Sequence, residues 1–350
     1  MPNDKLDADL KEQLQKEDLN YTSDKAPGFF RQKNKKTFIY YDLKGKIIRD
    51  KETLERIKSL CIPPAWKNVW ICPKASGHLQ ATGIDDRKRK QYIYHPDWIK
   101  ISQENKFSKV IDFGLNLPKI RGKVNYNLGQ KKMDKTKILS TVIWLLEHTL
   151  IRVGNEEYSK QNKSFGLTTL RNKHVKQTGK SVVFSFKGKS GVYHVVEISN
   201  KTVAKTIRRC IEIPGYELFG FIDDKGDRHV ISSEDVNSFL KNVTHEDFSA
   251  KDFRTWGGTS ISAKHFYKKG FPEDKKLLKK NVNDTIKVVA HHLNNTVSVC
   301  KNYYIHPTVI KSYEENILVP HFETHHKSKI KKSGLSLDEY ALINLLQKNA

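Results

Sequence analysis

Several separated stretches of this sequence hold side chains suited to gripping or attacking a phosphate. Arg87-Lys88-Arg89-Lys90-Gln91-Tyr92-Ile93-Tyr94 sets a run of cations beside alternating aromatics. The cations can neutralise phosphates without reading base sequence, and Gln91 can form paired hydrogen bonds with adenine in a major groove. A solvated basic turn ahead of a core strand would have the same composition. Arg152 stands where an apolar run ends; a cation at a helix C-terminus complements the dipole and needs no further role. Lys189 lies in a glycine-rich turn. Such lysines are commonly just solvated, yet one at the tip of a short hairpin can reach a ligand held elsewhere. Lys251 and Arg254 are three apart and share a helix face, as a second phosphate clamp or as partners for Asp252. Asn294-Asn295-Thr296 and Lys301-Asn302-Tyr303-Tyr304-Ile305-His306-Pro307 complete the set, with two tyrosines near a helix end, where tyrosine ordinarily packs. There is no H-E-x-x-H, phosphate loop or dinucleotide fingerprint, so motifs suggest neither ATP nor a catalytic metal.

The elements that must position these groups can be read from periodicity. Thr37–Tyr41 is a β-type run, followed by a turn at Asp42, Lys44 and Gly45 and a returning strand at Ile47-Ile48. Leu54–Leu60 predicts a short helix closed by Pro63-Pro64. Trp70–Cys72 and Tyr92–Tyr94 are further strands, and His95-Pro96 marks a boundary. Beyond residue 100 helices dominate. Ile138, Leu139, Val142, Ile143, Leu146 and Leu150 recur at helical spacing, as do Leu278, Val282, Ile286, Val289 and Leu293. Val182–Phe186 and Tyr193–Ile198 alternate around the turn Lys187–Gly191, which predicts a hairpin carrying Lys189. Ser249 with Asp252 and Ser336 with Glu339 predict capped helix starts. The tract His325–Lys332 reads as an exposed basic linker. The expected organisation is an acidic tail (1–20), a small β-rich domain (21–98) and a larger, mainly helical domain (99–350).

Composition narrows the partner. The 350 residues carry Lys+Arg 63 against Asp+Glu 39, a formal charge of +24. A surplus that large repels itself unless an acidic partner offsets it. Nucleic acid is the leading candidate, ahead of an anionic membrane and of a merely basic soluble protein. With 16 Phe and 14 Tyr the chain has the aromatics for globular cores. No stretch approaches the ~20 apolar residues of a membrane span, and the polar N-terminus does not read as a secretory signal. Cys61, Cys72, Cys210 and Cys300 form no C-x-x-C pair, which fits reduced thiols in the cytoplasm and argues against zinc.

Taken in order, these residues resemble the type IB DNA topoisomerases, in the compact form found in bacteria and poxviruses. The resemblance runs from about Tyr21 to about Lys311. It is carried by Ile62-Pro63-Pro64-Ala65-Trp66, Gly77-His78-Leu79-Gln80-Ala81-Thr82-Gly83, Arg89-Lys90-Gln91-Tyr92-Ile93-Tyr94-His95, Gly166-Leu167-Thr168-Thr169-Leu170 and Tyr304-Ile305-His306-Pro307. It implies an α+β chain, a small β-rich domain plus a mainly helical catalytic domain of the tyrosine recombinase/topoisomerase IB type, forming a clamp around DNA.

Carried over by position, the resemblance assigns Arg152 and Arg254 as the two phosphate-holding arginines and Lys189 as the hairpin lysine. Tyr304 becomes the nucleophile, chosen over Tyr303 by the spacing from Thr296 to Ile305-His306-Pro307. The fourth catalytic place falls on Asn295. Poxvirus members have histidine there, and some bacterial members are similar to this chain in having asparagine. Gln91, Tyr92, Tyr94 and Tyr158 match positions that touch DNA. The resemblance further implies double-stranded DNA as partner, no cofactor or metal, and a monomer working in the cytoplasm on nucleoid DNA. A tyrosine recombinase would have histidine where Lys251 stands and would not have this N-terminal β domain. A non-enzymatic DNA-binding protein would account for the charge but not for Arg152, Lys189, Arg254 and Tyr304 together.

Overall fold

The computed structural model describes residues 14, 16–35, 37–330 and 332–349, apart from the side chains of 157, 158 and 161. Most of the expected acidic tail lies outside the described residues. Leu14 and Leu19, at its end, are buried against Ile101 and Trp98. The chain divides into two compact units, residues 1–106 and 107–350.

The first unit is built on an antiparallel sheet in the order β2-β1-β3-β4-β5. Its strands are β1 (Phe29–Asn34), β2 (Thr37–Tyr41), β3 (Lys67–Ile71), β4 (Leu79–Ile84) and β5 (Lys90–Tyr94), with helix α1 (Lys51–Ser59) between β2 and β3. The Asp50 carboxylate accepts from Thr53 N at 2.8 Å and so starts α1. Ile57 of this helix packs with Ile62, Val69, Ile71 and Ala81 in a small core. The returning strand expected at Ile47-Ile48 is reduced to a single bridge from Ile47 to Tyr41, because Asp42 Oδ1 gathers the amides of Lys44 and Lys46 into a tight turn. β4 gave no alternating signal because five of its six residues are buried.

Two of the sequence stretches with the strongest family resemblance prove structural. Arg31 donates to the carbonyls of Ile62, Pro63 and Trp66, which fixes the Pro63-Pro64-Ala65-Trp66 turn. Gln80 is 3% exposed; its amide donates to the carbonyls of Lys74, Ala75 and Gly77 and its oxygen accepts from Arg56.

The second unit contains most of α2 (Pro96–Gly129), then α3 (Lys135–Thr149), α4 (Glu156–Asn162), β6 (Val175–Thr178), β7 (Ser181–Lys187), β8 (Tyr193–Ile198) and α5 (Lys201–Glu212). There follow β9 (Gly220–Ile222), β10 (Arg228–Val230), α6 (Ser233–Thr244), α7 (Ala250–Lys269), α8 (Lys275–Leu293), α9 (Val297–Tyr303), α10 (Pro307–Glu314), α11 (Leu318–Ser328) and α12 (Leu337–Lys348). Pro96 opens α2, a place where proline's missing N–H costs no helical bond. β6, β7 and β8 form an antiparallel sheet in that order, and β7–β8 is the expected hairpin.

α7 is the hub, packed against α3, α6, α8, α10, α11 and α12. The stripes expected on α3 and α8 face this core: Ile138, Val142, Ile143 and Leu146, and Val282, Ile286, Val289 and Leu293, are all buried. The tract expected as a linker from His325 begins inside α11, which runs to Ser328. His325 and His326 are half-buried there, and His326 bonds Asp338 of α12 at 2.8 Å. A half-buried knot ties the last helix down: Arg121 Nε donates to Glu147 at 2.6 Å and Arg121 Nη2 to Glu339 at 2.6 Å.

Candidate active site

Arg152 is placed by an uncommon helix end. α3 closes at Leu150, whose φ of 54° puts a branched side chain in the left-handed region, at a cost of roughly 1–2 kcal/mol. The following backbone lies against Gly166. Leu167 N donates to Arg152 O at 2.9 Å and Thr168 N to Val153 O at 2.7 Å. A Cβ on Gly166 would fall 2.5 Å from Arg152 O, so the approach requires glycine. Thr168 Oγ1 adds a bond to Val153 O at 3.0 Å. The Gly166-Leu167-Thr168-Thr169 stretch thus pins the arginine's backbone.

Arg254 lies in the second turn of α7. The capping box opens this helix as the sequence indicates, with Ser249 N donating to Asp252 Oδ2 at 2.7 Å. That carboxylate serves the cap, and Lys251 is exposed. Arg254 itself is 5% exposed. Its Nη1 donates to Leu150 O, and its Nη2 to Leu293 O at 2.8 Å. Both acceptors sit at helix C-terminal ends, where the backbone dipole favours a cation. Its Nε is buried without a hydrogen-bond partner.

Asn295 follows Asn294, which ends α8 in the left-handed region with φ 47°. Asn295 Oδ1 accepts from Arg152 Nη2 at 2.7 Å. Its Nδ2 is a second buried donor with no hydrogen-bond partner. Thr296 caps α9 by accepting from Val299 N at 3.3 Å. α9 delivers Tyr304 at its C-cap, with Tyr304 N donating to Cys300 O at 3.0 Å.

The Tyr304 ring lies 5.1 Å from the Arg254 guanidinium carbon, close enough for a cation–π contact. Tyr303 is 41% exposed, whereas Tyr304 is half-buried. Lys189 is exposed in the β7–β8 turn. It lines an open pocket together with Arg152, Asn294, Asn295 and Thr296. The second unit therefore brings Arg152, Lys189 and Asn295 to one pocket, and Arg254 and Tyr304 to each other.

The Tyr304 backbone has supports that the sequence reading missed. A Cβ on Gly258 would lie 2.5 Å from Tyr304 O. The next residue, Thr259, donates its Oγ1 to Tyr304 O at 3.3 Å and accepts from His306 N at 3.1 Å. The signal was present as Gly257-Gly258 in mid-helix, where each glycine costs about 1 kcal/mol relative to alanine. Such a cost points to close approach by another segment.

Cys300, one turn before the tyrosine, is fully buried, and burial pushes its thiol up to about 11 although Arg254 and Arg152 pull the other way. It is held as a neutral core residue.

His306 predicts an acid response. Its Nδ1 accepts from Thr308 N at 3.2 Å and caps α10. Burial lowers its pKa from 6.5 to about 4. His174, whose Nδ1 accepts from Arg171 N at 3.0 Å, is lowered to about 4 by burial and by the nearby charges of Lys173 and Arg171. In each case the unfolded chain takes up a proton near 6.5 and the folded chain only near 4. Between those values the unfolded state binds more protons, so stability falls as the pH is lowered through this window. Denaturant midpoints measured from pH 7 to 4 are expected to follow that slope. His306→Asn, which keeps a capping acceptor, is expected to flatten it; an unchanged slope would show that His306 does not contribute.

The residues matched to DNA contacts fall differently. Tyr92 and Tyr94 are 48% and 38% exposed and stack at 6.0 Å on the outer face of β5, beside Lys90. Gln91 points to the opposite face of the strand and donates its Nε2 to Asp85 at 3.0 Å. The Tyr158 side chain lies outside the described residues. Among the described residues no cluster of His, Cys, Asp and Glu could hold a metal ion, and no helix is long and apolar enough to cross a membrane.

Comparison with known proteins covers most of the chain. Residues 95–331 match the eukaryotic DNA topoisomerase I catalytic core, and residues 37–85 the N-terminal domain of bacterial DNA topoisomerase IB. The chain is 31% identical to DNA topoisomerase 1B of Acanthamoeba polyphaga mimivirus over 308 residues, 86% of this chain and 91% of the relative. It is 25% identical to DNA topoisomerase 1B of Vaccinia virus (strain Copenhagen), over 81% of this chain and 89% of the relative. With one match over the catalytic core and another over the smaller β unit, the chain belongs to the type IB DNA topoisomerase family.

Proposed function

We propose that the chain relaxes supercoiled duplex DNA by transient cleavage of one strand, with Tyr304 as the nucleophile. The Tyr304 phenolic oxygen attacks a backbone phosphorus and gives up its proton. A tyrosyl ester forms with the 3′ phosphate, and the bond to the 5′ oxygen breaks. The freed 5′ end swivels about the intact strand. Its hydroxyl then attacks the ester, restoring the phosphodiester and releasing tyrosine. The phosphotyrosyl ester conserves the bond energy, so torsion in the DNA suffices to drive rotation and neither ATP nor a metal is required.

What supports this reading most is a pair of buried donors without hydrogen-bond partners, Arg254 Nε beside the Tyr304 ring and Asn295 Nδ2 in the pocket shared with Arg152 and Lys189. Leaving such groups unsatisfied costs about 1–3 kcal/mol each, and a phosphate's non-bridging oxygens would satisfy them. Arg152 and Arg254 stabilise the charge that develops on those oxygens, and their fixed forks match phosphate geometry. Asn295 adds a neutral amide donor while its oxygen orients Arg152. Lys189 donates the proton to the leaving 5′ oxygen, a general-acid role. Tyr92, Tyr94 and Lys90 grip the duplex by stacking and charge, with Gln91 and Tyr158 as further contacts. The chemistry needs one chain per duplex, so we expect a monomer acting on nucleoid DNA in the cytoplasm.

Lys189 provides the test. In single-turnover cleavage in EDTA, Lys189→Ala is expected to be about 10²–10⁴-fold slower, the range for lost general-acid catalysis. Replacing the 5′ bridging oxygen by sulfur supplies a leaving group that needs no proton, and should restore most of that rate. Equal slowness on both substrates would remove the general-acid role.

A further inference from the structure

One buried histidine beside this cluster has no part in the scheme above. His194 sits on β8 opposite Phe186 of β7 and is 6% exposed. Its ring stacks on Phe186, with centroids 4.8 Å apart and planes 5° from parallel. Its Nε2 edge lies under the turn that carries Lys189: a Cβ on Gly188, the residue before the lysine, would come within 2.5 Å of Nε2. On the other edge, Nδ1 accepts from Asn294 Nδ2 at 3.3 Å, across 100 residues of sequence. Asn294 is the left-handed residue immediately before Asn295. One ring therefore touches both the lysine's hairpin and the turn that presents Asn295.

Accepting at Nδ1 requires a neutral imidazole with its proton on Nε2. Burial, together with the charges of Arg152 and Arg254, lowers the His194 pKa and favours that form. A phenylalanine could fill the same space and keep the stack, but it could not accept from Asn294. The hydrogen bond thus separates a positioning role from core packing.

We propose that His194 is a positioning residue that anchors the Asn294–Asn295 turn to the β7–β8 hairpin, so that the Asn295 amide and Lys189 are held in register around one phosphate. The proposal rests on the roles assigned above to Asn295 and Lys189. Asn295 lies on a turn and Lys189 opens a single 3-10 turn, so neither is held inside an α-helix or a strand. Displacement of a reacting group by 1 Å can cost about 10²-fold in rate, so turns that bear catalytic groups need bracing from outside their own backbone.

The test is single-turnover cleavage of a duplex by the full chain, with DNA affinity measured in parallel. His194→Phe is expected to slow cleavage about tenfold without weakening DNA binding, and His194→Gln, which restores an acceptor, to recover part of the loss. Asn294→Gly removes the same bond from the other side. It tolerates the left-handed conformation and leaves the buried ring in place, so it answers the question even if His194→Phe misfolds. A double-mutant cycle identifies the residue acted through: in an Asn295→Ala background the tenfold loss should vanish. Wild-type rates for both His194→Phe and Asn294→Gly would overturn the proposal, as would a tenfold loss that simply adds to that of Asn295→Ala. If Asn295→Ala alone cleaves at the normal rate, the role of Asn295 falls and the positioning role with it. That outcome is distinct from additivity, which would sink the positioning role alone.

Discussion

Tyr304→Phe is expected to abolish both relaxation of supercoiled plasmid and formation of a covalent protein–DNA adduct, a loss of about 10⁴-fold or more. Removing a nucleophile from a catalytic unit has effects of that order. The substitution keeps the ring that lies against Arg254, so the fold should be retained and the loss should be chemical. Tyr303 is the control. It is exposed and one position away, and Tyr303→Phe should relax plasmid at close to the wild-type rate. Denaturing capture in EDTA followed by peptide mapping should find the phosphate on Tyr304. An adduct that persists in Tyr304→Phe, or that maps to Tyr303, would remove the nucleophile assignment and the reaction scheme built on it.

Arg254→Ala is expected to damage stability and catalysis together, and the two can be separated. The guanidinium joins the carbonyls of Leu150 and Leu293 at the ends of α3 and α8. Losing it strands two buried acceptors, at about 1–3 kcal/mol each, so a clear fall in denaturant midpoint is expected. Beyond that, the cleavage rate of the protein that remains folded should drop about 10²–10³-fold, the effect of deleting one preorganised donor at a developing charge. Arg254→Lys keeps the charge but cannot span two carbonyls and a phosphate with one ammonium; it should recover some stability and little rate. Folded Arg254→Ala that cleaves within tenfold of the wild-type rate would show that this arginine is purely structural.

The sequence revealed elements whose signal is local and obscured those whose reason is distant. The capping boxes at Ser249 and Ser336, the stripes on α3 and α8, and the β7–β8 hairpin all announce themselves within a few residues. β4 was lost because burial on both faces erases the alternation. The head of the basic tract at His325 was misread as linker because positive charge suggests solvent, whereas His326 is paired with Asp338 across 12 residues. Gln91 and Tyr92 are adjacent in sequence, but the pleat sends their side chains to opposite faces, a separation that composition alone does not show.

The site was legible as residue types and illegible as geometry. Arg152 alone was indistinguishable from a cation soothing a helix end. Its meaning comes from the bond to Asn295, 143 residues later. His194 was passed over altogether, since neither its neighbours on β8 nor any spacing hints at Asn294. Gly258 could have been noticed, because an interior helical glycine demands an explanation; Tyr304 O supplies it.

The two carbonyls gripped by Arg254 belong to helices far apart in the chain, and the pair of bonds is complete only when both helix ends are in place. An enzyme that severs genetic material is dangerous when half-assembled. Here the side chain that would steady the severed linkage is the same one that records whether distant parts of the domain have docked. A partly folded or proteolytically clipped chain would keep the tyrosine but lose one of these anchors, so competence to cut is expected only once both helix ends have docked, as in a tool whose blade stays locked until the housing is shut.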